Sequence, residues 1–204
     1  MLSARLLPLP AAPPAAPSFA EGLSAGRLVE LSGARGSART SLAFAAVRAA
    51  QLEGEPVAWI QPAAGPFYPP DAAECGVDLA ALAVVQVPFS TGDAGPFRAA
   101  EILLRSGAFG LVVLDRRGAP GVPSDAMQGR LQALAREHDV RVLLLTDRAA
   151  DSGSLGPLVS LRVEPHRARL GGGRFAIEPV LLKNKHGGPL ELATERRRGP
   201  WSPA

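Results

Sequence analysis

The sequence has little cysteine, few aromatic residues and no long hydrophobic run. Cys75 is the only cysteine among 204 residues, which excludes an intrachain disulfide framework, a cysteine-based zinc site and a thioredoxin-like redox pair. This cysteine usage favours a cytoplasmic protein. Apolar stretches such as residues 140–145 are too short to cross a bilayer, so no membrane partner is expected.

Proline is abundant but unevenly placed. The chain has 20 prolines and 22 glycines, and prolines crowd into the first 17 positions, where they interrupt every candidate apolar core of a signal peptide. This composition predicts a disordered Pro/Ala-rich arm over residues 1–21. The remainder has the composition of one globular domain, predicted over residues 22–194.

Positive charge is concentrated at the end of the chain. The formal net charge is +3, of which residues 195–204 contribute +2, from three arginines and one glutamate. A nearly neutral domain followed by a basic flexible tail argues against a global field that would coat nucleic acid. An inert tail is the alternative to a contact with a partner protein or with DNA through Arg196, Arg197, Arg198 and Trp201.

Apolar strand patterns alternate with helical patterns, which predicts an α/β fold with a mostly parallel sheet and flanking helices. Strands are expected over residues 27–31, 57–60, 82–87, 110–115 and 141–147, and helices over 39–52, 95–106 and 125–138. Near the C-terminus the pattern changes to strands at 158–164, 174–183 and 190–193 with glycine-rich turns between them. This change predicts an antiparallel extension of the sheet.

The first strand, loop and helix place residues 33–40 where a phosphate-binding P-loop would lie. Such a loop follows the pattern G-x-x-x-x-G-K-[ST], in which bare backbone amides and a lysine hold the phosphates and the hydroxyl holds magnesium. Gly33 and Thr40 fit this pattern, whereas Ala38 replaces the second glycine and Arg39 replaces the lysine. Because both changes remove phosphate contacts, we expect a degenerate site that no longer hydrolyses ATP.

The order of segments resembles the core of the RecA recombinases. The run from Gly26 to Leu31 resembles their first core strand, Leu103-Leu-Arg-Ser-Gly107 resembles the run before their Walker B strand, and Leu182-Lys-Asn-Lys185 resembles their Lys-Asn-Lys motif. The resemblance implies a RecA-like fold of the P-loop NTPase type. It extends over residues 22–193.

A closer resemblance is to the ImuA proteins, the RecA-related members of inducible mutagenesis cassettes. It rests on Ile60-Gln-Pro-Ala-Ala-Gly-Pro-Phe-Tyr-Pro-Pro70, followed by Gly76-Val-Asp-Leu-Ala-Ala-Leu82. RecA proteins carry their catalytic glutamate after this strand. The matching positions here are Ala63 or Ala64, so the general base is absent.

The resemblance also implies roles for other residues. Asp115 matches the acid that holds magnesium, with a turn-capping aspartate as the alternative. Lys183 and Lys185 match lysines that reach a neighbour's nucleotide in RecA filaments, with solvated lysines as the alternative. The intervals 116–124 and 148–156 match the DNA-binding loops but have only nine residues each. The candidate nucleotide-binding residues are Gly33, Gly36, Ala38, Arg39, Thr40 and Asp115.

The sequence as a whole favours an adaptor over an enzyme. The resemblance implies a non-hydrolysing RecA-like protein in SOS-induced translesion synthesis and mutagenesis. Its implied partners are an ImuB-like polymerase-family protein, RecA and an error-prone replicative-type polymerase. The alternatives are a weak RecA-type DNA-dependent ATPase that uses ATP and magnesium, and a DNA-binding accessory protein.

Overall fold

One eight-stranded sheet organises the chain, with strand order β3-β2-β4-β5-β1-β6-β7-β8. The computed structural model describes residues 16–119, 121–185 and 190–198. The strands are β1 (Leu28–Leu31), β2 (Val57–Pro62), β3 (Leu82–Val87), β4 (Leu111–Asp115), β5 (Arg141–Leu145), β6 (Val159–Gly171), β7 (Arg174–Asn184) and β8 (Glu195–Arg198). The helices are α1 (Arg39–Leu52), α2 (Pro69–Glu74), α3 (Gly95–Arg105) and α4 (Asp125–Glu137).

The first five strands and the start of β6 are parallel, as the alternating pattern predicted. β4 and β5 are buried on both faces because helices cover the sheet from both sides. One apolar cluster contains residues of α1 and α2 with one set of strand side chains, and a second contains residues of α3 and α4 with the alternate set. This arrangement brings the loops that follow β1, β4 and β5 to the same edge of the sheet.

The antiparallel extension is present but larger than the sequence indicated. β6 pairs with β1 at its start and then continues beside β7 to Gly171, although residues 166–171 are exposed. β8 pairs with β7 between Arg174 and Ile177. The prediction of a strand at 190–193 is wrong, because Leu190 and Leu192 pack against the core without strand pairing.

Both predicted chain ends differ from the structure where it describes them. The predicted tail begins with β8 instead of flexible chain, because its backbone pairs with β7. The predicted arm lies largely outside the described residues, but its end contains Phe19, which is fully buried in the core.

An aromatic cluster joins the second strand to α1 and to the proline-rich loop. The ring of Trp59 lies 5.4 Å from that of Phe44 and 5.3 Å from that of Phe67, measured between centroids. Trp59 has no exposed surface. Its ring therefore fixes the helix and the loop to the sheet.

Replacing Trp59 with alanine tests this role. We expect Trp59→Ala to lower the free energy of unfolding by about 3 to 5 kcal/mol, because a large buried ring leaves a cavity that the sheet cannot close. The measurement is urea unfolding followed by circular dichroism. Phe89→Ala is the matched control, because Phe89 is 69% exposed and its truncation should change stability by less than about 0.5 kcal/mol.

Candidate functional site

The loop between β1 and α1 lies at the position of a phosphate loop and contains three residues with positive φ. Gly33 has a φ of 134°, and a Cβ there would lie 3.0 Å from both Glu164 Oε1 and Ser37 Oγ. Ala38 precedes α1 in the left-handed region with a φ of 61°, a conformation that costs a non-glycine residue about 1 kcal/mol. Gly36 also has a positive φ, and the space around its Cα is open.

The side chain of Arg39 folds back into this loop. Its guanidinium donates hydrogen bonds to the carbonyl oxygen of Ala34 at 3.0 Å, to Ser37 Oγ at 3.1 Å and to the carbonyl oxygen of Thr146. The same group forms an ion pair with Asp147 at 2.8 Å, and only 4% of the side chain is exposed. Arg39 therefore binds the protein's own loop.

A second arginine joins the two residues expected to hold magnesium. Arg117 donates from Nε to Asp115 Oδ1 at 2.9 Å and from Nη2 to Asp115 Oδ2 at 2.5 Å. It also donates from Nη1 to Thr40 Oγ1 at 2.6 Å. Asp115 is fully buried, so its carboxylate needs a positively charged partner.

This geometry decides whether the residues fit the metal that the resemblance implies. A P-loop magnesium ion is held by the loop hydroxyl and, in this fold, by the strand-ending aspartate. Here a guanidinium lies between those two groups and engages both. The residues as arranged do not fit a magnesium ion, and the positive charge at this point comes from Arg117.

Asp147 connects the two arginine sites. One oxygen of its carboxylate pairs with Arg39, and the other accepts a hydrogen bond of 2.6 Å from the backbone N–H of Gly118. The loops after β1, β4 and β5 are thereby joined through side chains at one edge of the sheet. Three loops that each follow a different strand are held together by two arginines and two aspartates.

Two alanines follow β2 at the positions where the resemblance implies a catalytic glutamate. Ala63 and Ala64 follow this strand, and the backbone N–H of Ala63 donates to the carbonyl oxygen of Val87 at 2.9 Å. The buried side chain of Gln61 accepts a hydrogen bond of 2.9 Å from the N–H of Phe67. Gln61 therefore shapes the proline-rich loop.

Arginines of the two short loops are largely turned away from solvent. Arg117 holds Asp115, and Arg116 is 3% exposed with its guanidinium 4.6 Å from the ring centre of Phe97. Burial lowers the pKa of Arg116, and the charge of Asp93 partly opposes this shift. Arg148 donates to the carbonyl oxygen of Gly153 at 2.7 Å within its own loop.

A buried ion pair and two lysines hold the loop that follows β5. Glu30 accepts hydrogen bonds from the N–H of Leu155 at 2.8 Å and from Thr146 Oγ1 at 2.7 Å, and lies 3.9 Å from Arg162. Arg162 in turn donates to backbone carbonyl oxygens of this loop, including that of Ala149 at 2.6 Å. Side chains of β1 and β6 therefore hold the loop in place.

Lys183 and Lys185 contribute to the same contact. Lys183 Nζ donates to Ser154 Oγ at 2.8 Å, and Lys185 Nζ donates to the carbonyl oxygen of Pro157. Burial lowers the pKa of Lys183, and the neighbouring charge of Lys185 lowers it further. In this structure both lysines therefore form hydrogen bonds within the protein, to the loop that follows β5.

The three tail arginines lie beside the phosphate-loop helix. Arg196, Arg197 and Arg198 line a cleft of about 670 Å³ together with residues of α1 and α2. Thr40, Ser41 and Phe44 belong to α1, Asp71 and Glu74 belong to α2, and the remaining lining residues are Cys75, Arg167 and Phe175. Trp201 lies outside the described residues.

The structure brings some predicted residues together and separates others. Arg39, Thr40 and Asp115 meet at one sheet edge, whereas the lysines bind a different loop. Sequence reasoning missed Arg117 and Asp147 as members of the site. The available signal was their position directly after parallel strands, whose carboxyl ends converge.

Other kinds of site find little support. Across the residues that the structure describes, no group of three or more His, Cys, Asp or Glu side chains could hold a metal ion. None of the helices within these residues has the length and hydrophobicity of a membrane span.

The Arg117 contact can be tested by a stability comparison. We expect Arg117→Met to lower the free energy of unfolding by about 3 kcal/mol, because the carboxylate of Asp115 stays buried without its charged partner. The measurement is urea unfolding near neutral pH. Arg105→Met is the matched control: Arg105 pairs with Glu101 at 2.7 Å on the surface, so its loss should cost less than about 1 kcal/mol. Equal effects of the two substitutions would contradict the account.

The single cysteine reports on the cleft. Burial raises the pKa of Cys75, and the charge of Arg197 partly lowers it. We therefore expect the pH profile of Cys75 alkylation by iodoacetamide to have its midpoint above that of an unstructured cysteine peptide. Arg197→Gln should move this midpoint further upward, whereas Arg105→Gln should leave it in place. A midpoint that does not respond to Arg197→Gln would place Arg197 away from the thiol.

The chain is similar to known proteins in both sequence and fold. The family model for the RecA N-terminal domain matches residues 18–148. The chain is 38% identical over 110 residues to the RecA protein of Kineococcus radiotolerans, a segment that is 54% of this chain and 30% of that protein. It is 35% identical over 112 residues to RecA of Fusobacterium nucleatum, covering 54% of this chain and 28% of that protein. The matched segment is thus less than a third of these RecA proteins.

A solved structure extends the likeness to the C-terminal strands. The crystal structure of the RadB recombinase superposes with a TM-score of 0.61, at 18% sequence identity, over 87% of this chain and 89% of that one. The predicted RecA-like α/β fold class is confirmed by this likeness. Since the family model matches well over half of the chain, the protein belongs to the RecA N-terminal domain family.

Proposed function

We propose that this chain is a non-hydrolysing RecA-like adaptor. The observation that carries the proposal is the guanidinium of Arg117, which engages both Asp115 and Thr40. A protein whose own arginine occupies the expected metal position keeps the fold of a RecA protomer without the charge arrangement that phosphoryl transfer requires. The inward side chain of Arg39 and the absence of a carboxylate at Ala63 and Ala64 support the same proposal.

The resemblance to ImuA proteins supplies the setting that we propose. The chain would act in SOS-induced translesion synthesis and mutagenesis, as a link between an ImuB-like protein and RecA, together with an error-prone replicative-type polymerase. A RecA-like fold whose loops are already ordered suits docking on another RecA-like surface. Binding then costs little conformational entropy in these loops. The loop from Thr146 to Pro157 supports this proposal, because hydrogen bonds to the side chains of Glu30 and Lys185 hold it in place.

Two other functions are alternatives to the adaptor, and each makes a different experimental prediction. A weak RecA-type ATPase would use Thr40 and Asp115, and would need Arg117 to leave them. A DNA-binding accessory would use the arginines of β8 and would give a complex that weakens steeply with salt.

Titration calorimetry with Mg-ATP separates the adaptor from the ATPase. We expect no binding in the micromolar range for the parent chain. The triple substitution Ala38→Gly, Arg39→Lys, Arg117→Ser restores the phosphate-loop pattern and frees the metal ligands, so it should gain a measurable affinity. Micromolar Mg-ATP affinity of the parent chain, with turnover that is lost in Asp115→Ala, would overturn the non-hydrolysing proposal.

A pull-down with the full chain tests the partners. Purified ImuB-like protein and RecA are each offered to the immobilised chain, with Trp201→Ala as the variant that removes the predicted aromatic anchor. We expect retention of both partners and weaker retention by the variant. If the full chain retains neither partner, the adaptor proposal fails.

A further inference from the structure

The outer edge of β8 adjoins the arginine-lined cleft. In the described part of the sheet β8 is the last strand, with β7 on one side and no strand on the other. A strand edge of this kind presents backbone groups that can pair with an added strand. The cleft of about 670 Å³ lies alongside this edge. A ligand that pairs with β8 would therefore also reach the cleft.

The two faces of β8 differ in chemistry. Arg197 stands opposite Phe175 in the register, on the face that turns toward the cleft, and Arg167 stacks on the Phe175 ring at 4.2 Å. Arg196 and Arg198 alternate with Arg197, so their side chains leave the strand on the opposite face, although both residues also contribute to the lining of the cleft. An added strand would follow the same alternation. One set of its side chains would point into the cleft, which Phe44 and Phe175 help to line, and the other set would lie beside arginines.

The arginine face carries an uncompensated like-charge pair. Arg174 is directly opposite Arg198 across the β7–β8 ladder, and both side chains are exposed. Like charges at directly opposite positions destabilise a sheet. Within the described ranges, no carboxylate forms an ion pair with Arg174, Arg196 or Arg198. This face is complementary to a row of negative charges.

We propose that an extended acidic segment of a partner protein adds to the edge of β8. Its acidic side chains lie beside Arg174, Arg196 and Arg198, and its alternate, apolar side chains enter the cleft toward Phe44 and Phe175. The backbone of the segment pairs with the outer edge of β8. The segment therefore has a period of two, with acidic and apolar residues in alternation.

Three observations favour a peptide over nucleic acid as the occupant. The lining of the cleft also includes Asp71 and Glu74 of α2, which would repel a phosphate backbone. The strand edge offers hydrogen bonds that only another polypeptide strand uses in register. The lining includes Phe44 and Phe175, and apolar side chains surrounded by charged ones are common at protein interfaces.

This inference rests on the proposed adaptor function only in assuming a protein partner. The adaptor proposal is tested with full-length partners, whereas the test below uses this chain and synthetic probes. If the chain retains its full-length partners but does not bind the synthetic probes, the proposed docking site is wrong and the adaptor proposal still stands.

The test is a fluorescence anisotropy titration with a labelled peptide, Asp-Leu-Glu-Leu-Asp-Leu-Glu. The control peptide has the same composition in blocks, Asp-Glu-Asp-Glu-Leu-Leu-Leu, and a labelled single-stranded oligonucleotide with a matching number of charges provides the nucleic-acid arm. We expect saturable binding of the alternating peptide that exceeds binding of both other probes. Arg196→Glu/Arg198→Glu should weaken it by about tenfold or more, because repulsion replaces attraction.

A matched variant controls for net charge and folding. Arg98→Glu/Arg105→Glu makes the same charge change on α3, which packs in the other apolar cluster, and it should leave peptide binding unchanged. In the Arg198→Glu variant a carboxylate would stand opposite Arg174, so we expect β8 to remain paired. Circular dichroism melts check that both double variants fold.

The single thiol gives a second readout. Cys75 lines the cleft, so the alternating peptide should slow its alkylation in the parent chain and not in Arg196→Glu/Arg198→Glu. Equal binding of the two peptides, equal loss in both double variants, or no protection of Cys75 overturns the proposal. Tighter binding of the oligonucleotide that depends on Arg196 and Arg198 also overturns it and assigns this face to nucleic acid.

Discussion

The pairing of Arg117 with the buried carboxylate of Asp115 is the interaction on which the loop edge of this protein depends. A fully buried aspartate at the end of a parallel strand requires a positive partner, and here that partner is covalently part of the chain. Because the same guanidinium reaches Thr40, the end of β4 is joined to the start of α1. Arg39 and Asp147 extend this connection to the loop after β5.

The consequence is an edge whose charges are already balanced within the protein. In a P-loop protein the phosphates and metal supply much of the charge that organises these loops. Here the guanidiniums of Arg39 and Arg117 supply it, and the loop after β5 is held by Glu30, Arg162 and Lys183. This arrangement supports the proposed adaptor role, since a surface that is already ordered loses little conformational entropy on docking.

Much of the fold could be predicted from the sequence because its signals are local and repeated. The helix beginning at Arg39 and the buried strands from Leu111 and Arg141 are present as predicted. The far half of β6 could not be predicted, since residues 166–171 are exposed and have no apolar alternation. β8 consists only of charged residues and is a strand because it pairs with β7. The apolar segment that begins at Leu190 was predicted to be a strand, but its leucines pack against the core without a strand partner.

Only part of the site could be predicted, because the sequence indicates where the strands end but not how each side chain is oriented. The convergence of Thr40 and Asp115 follows from the rule that parallel strands end at one edge. Which way Arg117 points does not follow from that rule, because a residue after a strand can turn outward or inward, and only the tertiary contacts decide. The inward rotamer changes the interpretation of the whole loop, from a weakened nucleotide site to one that the chain itself fills.

We propose that Arg39 and Arg117 occupy the loop in place of a nucleotide and its metal. The most direct measurement is a crystal structure of the full chain grown with an excess of magnesium and a non-hydrolysable ATP analogue. We expect Arg117 between Asp115 and Thr40, Arg39 against Ala34 and Asp147, and no nucleotide phosphate in the loop. A structure with the analogue's phosphates between residues 33 and 40, magnesium on Asp115 and Arg117 displaced would contradict it.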